Sequence, residues 1–268
     1  MQACRNMYET IAYDVVDRVA TITLNRPTQH NAVNGVMSRE LPLVWERFNT
    51  DPCAVVAIIT GAGSKAFCTG ADLSDLPALD GSAETATLAS IRWTSLQNRI
   101  WKPVICAVNG LTVGGGLHFV ADSDIVIASD TATFFDTHVK VGLVAGLESV
   151  SLCRRMPMQA VLRMALVGGA ERITADQALA LGMVGEVVAA DGLMRRAQAL
   201  ADLIKENSPA AMARTKQAIW ESADRGLTDG MVHAWQLMMA HSGHPDFVEG
   251  GSAYLQKRPP RWLPLDEG

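Results

Sequence analysis

Two glycine-bearing turns are the first features of this sequence that suggest catalysis. One spans Lys65–Leu73 (KAFCTGADL) and the other Asn109–Gly116 (NGLTVGGG), and each follows a short apolar run typical of a buried strand. Such turns can expose backbone N–H groups, and the second also begins a predicted helix, whose N-terminal dipole favours negative charge. Two donors directed at one point would form an oxyanion hole, in which one donor stabilises a transition state by about 2.7–4 kcal/mol. Either turn alone would be ordinary, so the prediction rests on the pair.

A third glycine-rich stretch, Gly61–Ala66 (GAGSKA), loosely matches the dinucleotide-binding fingerprint, and Asp80 lies roughly where a ribose-binding acid would be. That fingerprint must open a helix, yet Phe67–Gly70 (FCTG) follows directly. No second predicted strand completes the unit within about 30 residues. We therefore interpret this stretch as a plain turn and expect no cofactor there.

The composition describes a folded protein with much buried surface. The chain has 268 residues, of which 49% are hydrophobic and 19% charged, and its formal net charge is −5. This length suits one domain with an appendage, or two small domains. The composition excludes disorder, collagen and coiled coil. The acidic balance argues against nucleic-acid binding, which would show basic clustering.

The cysteines and the uncharged stretches bear on metal sites and location. The five cysteines form no CxxC pair, so we expect neither a metal site nor a disulfide framework, and a reducing cytoplasm fits best. The N-terminal sequence MQACRNMYETIAYDVV lacks the apolar run of a secretion signal. The uncharged stretch Pro103–Ala121 is long enough for a membrane span, but Asn109, Thr112 and His118 interrupt it. A buried strand, a turn and a helix start are the better interpretation, so no membrane partner is expected.

The elements that must position the turns follow from hydrophobic periodicity. Strands separated by helices indicate an α/β core over residues 1–200, and the helical tail over 201–268 predicts a second, smaller unit. The predicted strands, of which the first two are joined as a hairpin by Asp17-Arg18, are Thr10–Val16, Val19–Leu24, Ala54–Thr60, Val104–Val108, Ile125–Ala128 and the extended piece Thr131–Phe135. The predicted helices include the face Met37, Leu41, Val44 and Phe48, the segment Thr85–Trp101, the short Leu117–Ala121 and the face Leu193, Ala197, Leu200 and Ile204.

The order of several motifs resembles the crotonase superfamily, also called the enoyl-CoA hydratase/isomerase family. The likeness covers most of the chain, in the family's order. The matching stretches are Ile22–Pro27 (ITLNRP), Asn31–Asn34 (NAVN), Val55–Leu73, Lys102–Ala128, Gly168–Val188 and the tail Glu249–Arg258 (EGGSAYLQKR).

This resemblance implies a fold, a substrate class and a set of site residues. The fold is a spiral of β-β-α units with a C-terminal helical region that builds homotrimers, often hexamers. The substrate is an acyl-CoA thioester, with coenzyme A as part of the substrate and no other cofactor. The backbone N–H groups of Ala71 and Gly115 would polarise the thioester carbonyl and hold the enolate. The positions along the CoA path would be Ala66, Asp72, Leu73 and, across a subunit interface, Lys257.

The sequence departs from the family at the two catalytic acids. In hydratases that this chain resembles, two glutamates flank the substrate double bond, but here those positions hold His118, two residues after Gly116, and His138, twenty residues further on. An unperturbed imidazole titrates near pH ~6.5 and can act as acid or base, which contributes typically ~10²–10⁴-fold. Asp136 and Glu148 are candidate orienting acids, and strand alternation would place Asp136 on the same side as His138.

Three functions remain open at this point. The leading hypothesis is an enoyl-CoA hydratase or isomerase that works through an enolate with two histidines as acid/base groups. A hydrolase of the same fold is the alternative, because a histidine oriented by a carboxylate activates water, and some superfamily members that this pattern resembles cleave β-diketones. Such an enzyme would cleave either a carbon–carbon bond of a β-dicarbonyl compound or the thioester bond of an acyl-CoA. The third hypothesis is an acyl-CoA-binding paralogue without catalysis.

Overall fold

The computed structural model describes residues 7–76, 88 and 91–265. The strands are β1 (Ile11–Val16), β2 (Val19–Leu24), β3 (Val56–Gly61), β4 (Ala66–Cys68), β5 (Val104–Val108), β6 (Leu111–Val113), β7 (Ile125–Ser129), β8 (Thr133–Phe135), β9 (Ile173–Thr174) and β10 (Glu186–Val188). The helices are α1 (Gly35–Thr50), α2 (Leu117–Asp122), α3 (Leu147–Leu152), α4 (Met158–Val167), α5 (Ala175–Leu181), α6 (Leu193–Ile204), α7 (Pro209–Ser222), α8 (Leu227–His241) and α9 (Pro245–Gln256).

Two sheets grow side by side as the chain advances. The larger has the strand order β1-β2-β3-β5-β7-β10, and the smaller has the order β4-β6-β8-β9. Each of the pairs β3–β4, β5–β6 and β7–β8 gives its first strand to the larger sheet and its second to the smaller, with parallel neighbours. This repetition confirms the predicted spiral of β-β-α units. The carboxyl ends of β4 and β6 come together, so the turns that follow them meet.

The strands of the larger sheet are covered on both faces, which explains their uninterrupted apolar sequences. Every residue of β3 is buried. Ile58 packs in a cluster with Leu193, Ala197 and Ala201 of α6, whereas Ile59 packs in the main core on the opposite face. The face predicted on α1 is buried as well, at Met37, Leu41, Val44 and Phe48, so the helical spacing read from the sequence is confirmed for both helices.

One predicted helix is wrong in the part that the structure describes. Residues 91–101 of the predicted segment Thr85–Trp101 form a turn rather than a helix, whereas 85–87, 89 and 90, and also Asp80, lie outside the described residues. The side-chain amide nitrogen of Asn98 donates to the carbonyls of Arg92 and Thr94. Side chains that pair with nearby backbone groups compete with helical hydrogen bonds.

The C-terminal helices α7, α8 and α9 form the last part of the chain. Lys216 of α7 is buried and makes an ion pair with Asp124 at 2.8 Å, and its ammonium also donates to the Lys102 carbonyl. These contacts attach α7 to the amino-terminal edge of the larger sheet. Among the described residues, no helix combines the length and the apolar character that crossing a bilayer requires.

Candidate active site

The first turn contributes a backbone donor at Ala71. After β4 the chain passes through Gly70, whose φ of 79° is left-handed. A parallel bridge then pairs Ala71 with Val33: the Val33 N–H donates to the Gly70 carbonyl at 2.8 Å, and the Asp72 N–H donates to the Val33 carbonyl at 2.9 Å. Val33 thus bonds the residues on either side of Ala71, and in such a parallel bridge the N–H of Ala71 itself points away from Val33. The Ala71 N–H is therefore left for another acceptor.

The second turn brings Gly115 beside the first. Gly114–Gly116 form a single turn of 3-10 helix before α2, and an N–H so near the start of a helix has no partner within it. A Cβ on Gly70 would lie 2.6 Å from the Gly115 nitrogen, and a Cβ on Gly115 would lie 3.5 Å from the Ala71 nitrogen. Glycine permits this approach because it has no side chain. The structure thus brings the two predicted donors side by side.

His138 lies just beyond β8 and is held by Asp136. The Asp136 carboxylate accepts the His138 backbone N–H through Oδ1 at 2.8 Å, and its Oδ2 lies 2.8 Å from the ring Nδ1. A carboxylate only accepts, so Nδ1 carries the hydrogen. Asp136 is fully buried, whereas 21% of the His138 side chain stays exposed. A Cβ placed on Gly114 would lie 3.9 Å from Nε2, so the other ring nitrogen lies close to the second turn.

Glu148 of α3 bridges the two histidines. Its Oε1 lies 3.0 Å from His138 Nδ1, and its Oε2 lies 3.4 Å from His118 Nε2. The carboxylate is buried, and Oε1 has no hydrogen bond of its own among the described residues. The reason is that the single Nδ1–H of His138 points at Asp136. Glu148 therefore acts on His138 through its charge.

Gln97 sets the tautomer of His118. The Gln97 Oε1 accepts the backbone N–H groups of Trp93 at 2.8 Å and Thr94 at 3.2 Å, which leaves its amide nitrogen 3.4 Å from His118 Nδ1. Since an amide nitrogen only donates, Nδ1 of His118 is the acceptor and Nε2 carries the hydrogen toward Glu148. Both ring nitrogens of His118 are therefore occupied by protein groups.

The pKa values of the two histidines move in opposite directions. The hydrogen bond to Asp136, followed by the contact with Glu148, raises the pKa of His138 to about 10. Burial lowers the pKa of His118, and the charges of Glu148 and Asp122 offset this only in part. Burial would also raise the pKa of Glu148, but the contact with His138 brings it below its usual value. At neutral pH the site therefore holds one imidazolium, one neutral imidazole and the bridging carboxylate.

The predicted CoA-contacting residues fall in two places. Ala66 is buried in β4, and the Leu73 side chain is 62% exposed beyond the first turn. Asp72 makes an ion pair with Arg26 at 2.9 Å, which braces that turn. Lys257 lies elsewhere, exposed at the end of α9, with a left-handed φ of 54°. Its predicted contact with CoA across a subunit interface stays a prediction.

Asp136, His138 and Glu148 also form the one group in the described ranges that brings three ligand atoms within 4.8 Å. Two carboxylates and an imidazole suit a divalent transition metal. The separations of 2.8 and 3.0 Å from Nδ1 are those of a hydrogen bond and an ion pair, with the imidazolium in the place of a cation. The absence of a metal remains an expectation from the sequence.

Sequence reasoning missed Gln97 and Trp93. The Trp93 ring meets His118 edge-on at 6.0 Å, and its Cζ3 would lie 2.9 Å from a Cβ on Gly115, so it forms a wall of the site. A usable signal was the pattern Thr94-Ser95-Leu96-Gln97, which matches a capping box. The Gln97 N–H donates to Thr94 Oγ1, and Gln97 Oε1 accepts the Thr94 N–H.

Comparison with known proteins gives the class to which this fold and site belong. The family model described as enoyl-CoA hydratase/isomerase matches residues 15–264. The (E)-benzylidenesuccinyl-CoA hydratase of Thauera aromatica is 35% identical over 251 residues, which cover 93% of this chain and 97% of the relative. A mevalonyl-coenzyme A hydratase of Aspergillus fumigatus is 35% identical over 254 residues, covering 92% of each protein.

A solved structure agrees with these relatives. The crystal structure of an enoyl-CoA hydratase/isomerase from Mycobacterium paratuberculosis has a TM-score of 0.87 and 38% identity, covering 95% of this chain and 98% of the other. The chain therefore belongs to the enoyl-CoA hydratase/isomerase family and has the crotonase fold. Its relatives are named as hydratases, which is consistent with an enzyme of the hydratase/isomerase class.

Proposed function

We propose that this protein is an acyl-CoA hydratase that stabilises an enolate with the N–H groups of Ala71 and Gly115 and transfers protons through His138. One observation carries the proposal: of the two histidines beside the paired donors, His138 is the one with a ring nitrogen, Nε2, that makes no hydrogen bond among the described residues. Donors preorganised at a developing oxyanion are typically the largest single contribution to such catalysis. Membership of the family supports the acyl-CoA substrate.

In this proposal His138 begins the cycle as an imidazolium. The thioester carbonyl of an enoyl-CoA accepts hydrogen bonds from the two N–H groups, which draws electrons from the double bond. Water forms a bond to the β-carbon of the acyl chain, and the His138 Nε2–H gives its proton to the α-carbon of the acyl chain. The excess proton on the added oxygen then returns to Nε2. The atoms of one water are added across the double bond, and the imidazolium is restored.

His118 then acts as a positioning residue rather than a second acid or base. Its Nδ1 faces Gln97 and its Nε2 faces Glu148, so neither nitrogen is available to the substrate. It holds the Glu148 carboxylate against His138. In place of two equal acid/base histidines, we therefore propose His138 as the proton-transfer group and His118 as the residue that positions Glu148.

The hydrolase alternative is kept because of the pair formed by Asp136 and His138. A carboxylate that holds Nδ1–H is the arrangement by which a histidine becomes a water-activating base. In that reaction a neutral His138 would direct water at a carbonyl carbon, and the same two N–H groups would hold the oxyanion. The high pKa of His138 favours the acid role at neutral pH.

We also propose that the protein works as a homotrimer or as a dimer of trimers. The C-terminal helices leave large apolar side chains exposed, including Met231, Trp235 and Met238 on α8. Contiguous apolar surface of this kind marks an interaction site. The number three comes from the family resemblance, and light scattering near the 28.7 kDa of one chain at micromolar concentration would contradict it.

Mass spectrometry of the purified protein with enoyl-, 3-hydroxyacyl- and 3-oxoacyl-CoA esters tests the proposed function. Reversible gain or loss of one water is the expected result. Cleavage of the carbon skeleton, or release of free CoA, would contradict the hydratase and support the hydrolase alternative. Calorimetric binding of these esters without turnover would support the non-catalytic alternative.

A further inference from the structure

A cavity lined by none of the residues of the candidate active site lies among α7, the end of α8 and the residues just before α9. Its volume is about 500 Å³, and its lining includes Asn49 of α1 and Trp101 before β5. Trp101 lies three residues before the start of β5, whereas the catalytic turns follow the ends of β4 and β6. The cavity is within the range of small-molecule sites, which is ~300–1,000 Å³.

The polar groups of this cavity are basic or neutral. Arg214, His241 and His244 line it together with the side-chain amides of Asn49 and Gln217, and no carboxylate lines it among the described residues. Arg214 donates to the Gln217 amide oxygen at 3.1 Å rather than to an acid. The rings of His241 and His244 stack with their centroids 5.1 Å apart. The charge of the Arg214 guanidinium favours an anion.

His244 adds a buried donor without an acceptor. Its Nδ1 accepts the backbone N–H of Asp246 at 3.1 Å, which caps the start of α9, so Nε2 carries the hydrogen. The side chain is 10% exposed, and Nε2 is buried with no hydrogen-bond partner in the part of the chain that the structure describes. A buried unpaired N–H is costly, and such groups normally find a partner.

The neighbouring Asp246 carboxylate does not supply that partner. Asp246 accepts hydrogen bonds from the Ser208 hydroxyl and from the Leu263 N–H at 3.0 Å, and it does not line the cavity. Burial lowers the pKa of His241, and the neighbouring His244 and Arg214 lower it further, whereas Asp246 opposes them. Of the described residues that line the cavity, Arg214 is the one with a permanent positive charge.

We propose that this cavity binds a small oxyanion, a phosphate or a carboxylate, through the Arg214 guanidinium and the Nε2–H of His244. Arginine pairs with either anion through two parallel N–H donors. The site is separate from the acyl-CoA site and does not depend on the proposed hydratase activity.

Isothermal titration of the full chain with inorganic phosphate, and separately with citrate, at constant ionic strength tests this proposal and distinguishes the two anions. We expect saturable binding of at least one of them. Arg214→Gln should weaken it about tenfold, because a charge-assisted contact is lost. Arg195→Gln removes the same charge from the exposed side of α6 and should leave binding unchanged.

His244→Asn is the matched variant for the buried donor. Asparagine retains a capping oxygen for α9 but lacks the Nε2–H, so we expect a normal unfolding temperature and weaker anion binding. If this variant does not fold, Arg214→Gln alone decides the result. Absence of saturable binding to the wild type, or equal binding by wild type and Arg214→Gln, would overturn the proposal.

The chain itself offers two further carboxylates in its sequence. Asp266 and Glu267 follow Leu265, which lines the cavity. The titration is therefore repeated with the Asp266→Asn/Glu267→Gln double variant. Anion binding that occurs only in this variant would show that the protein fills the cavity with its own acids, which would overturn the proposal of a separate ligand.

Discussion

The Asp136 carboxylate holds His138 at two points, the backbone N–H through Oδ1 and the ring Nδ1 through Oδ2, each at 2.8 Å. The two residues are separated by a single position at the end of β8. One buried acid thereby fixes the tautomer, the orientation and the charge of the imidazole. Nε2, which has no hydrogen bond within the described part of the chain, lies close to Gly114, in the turn that contains the Gly115 donor.

The raised pKa of His138 predicts how stability depends on pH. Its pKa rises from 6.5 in the unfolded chain to about 10 in the folded protein, so the protonated form favours folding. This contribution is fully present below about pH 6.5 and is lost as the pH rises through about 10. Urea unfolding at several pH values should show the free-energy gap between wild type and His138→Gln shrinking over that interval. A constant gap would contradict the ion pair.

Asp136→Asn should lower the pKa of His138 by more than one unit. The change removes the charged carboxylate of Asp136, whose hydrogen bond is the largest cause of the shift, and keeps an oxygen that can accept the Nδ1–H of His138. Proton NMR of the His138 ring during a pH titration measures the change directly. Asp14→Asn on β1 removes an exposed carboxylate and is the control. An unchanged titration in Asp136→Asn would mean that Glu148 alone sets the charge.

Gly115→Val should disable the oxyanion hole. The new side chain would approach Trp93 within 2.9 Å and Ala71 N within 3.5 Å, so the donors must move apart. Losing one such donor costs about 10²–10³ in kcat. Gly192→Val is a matched control because its Cβ would meet nothing within 4 Å. Steady-state kinetics that show equal kcat for both variants, with soluble protein, would place the oxyanion hole elsewhere.

Binding of a CoA ester should weaken as salt rises, because Lys257 is expected to contact a CoA phosphate and salt screens that attraction, even though the chain as a whole has a net charge of −5. Calorimetry with the wild type and Lys257→Ala should show lower affinity and a shallower salt dependence in the variant. Arg195→Ala removes an equal charge and should bind normally. No binding of any CoA ester at low salt would exclude the substrate class.

Much of the fold was predictable because buried parallel strands have apolar sequences. The strands at β2 and β5 and the helical faces of α1 and α6 follow directly from periodicity. The turn over residues 91–101 did not, since the side chain of Asn98 satisfies backbone groups that the pattern assigned to a helix.

The residues of the candidate site were predictable, but the contacts between them were not. Family resemblance indicated His118 and His138, and strand alternation indicated Asp136. The two histidines differ in their surroundings because Gln97 occupies Nδ1 of His118, whereas Glu148 of α3 lies against Nδ1 of His138. Such contacts between distant segments leave no periodic signal. These contacts move the pKa values of the two histidines in opposite directions, which the residue types alone do not indicate.

Turnover of His138→Gln and His118→Gln, measured side by side on the ester that mass spectrometry identifies, tests the central claim most directly. Glutamine at 138 cannot transfer a proton, so kcat should fall about 10²–10⁴-fold with little change in KM. Glutamine at 118 retains an N–H for Glu148, so the pKa of His138 should shift little. Even a shift of one unit changes the protonation of His138 at most about tenfold, so kcat should stay within that factor. Near-full activity of His138→Gln, or an equal loss in both variants, would contradict the assignment of His138 as the single proton-transfer group.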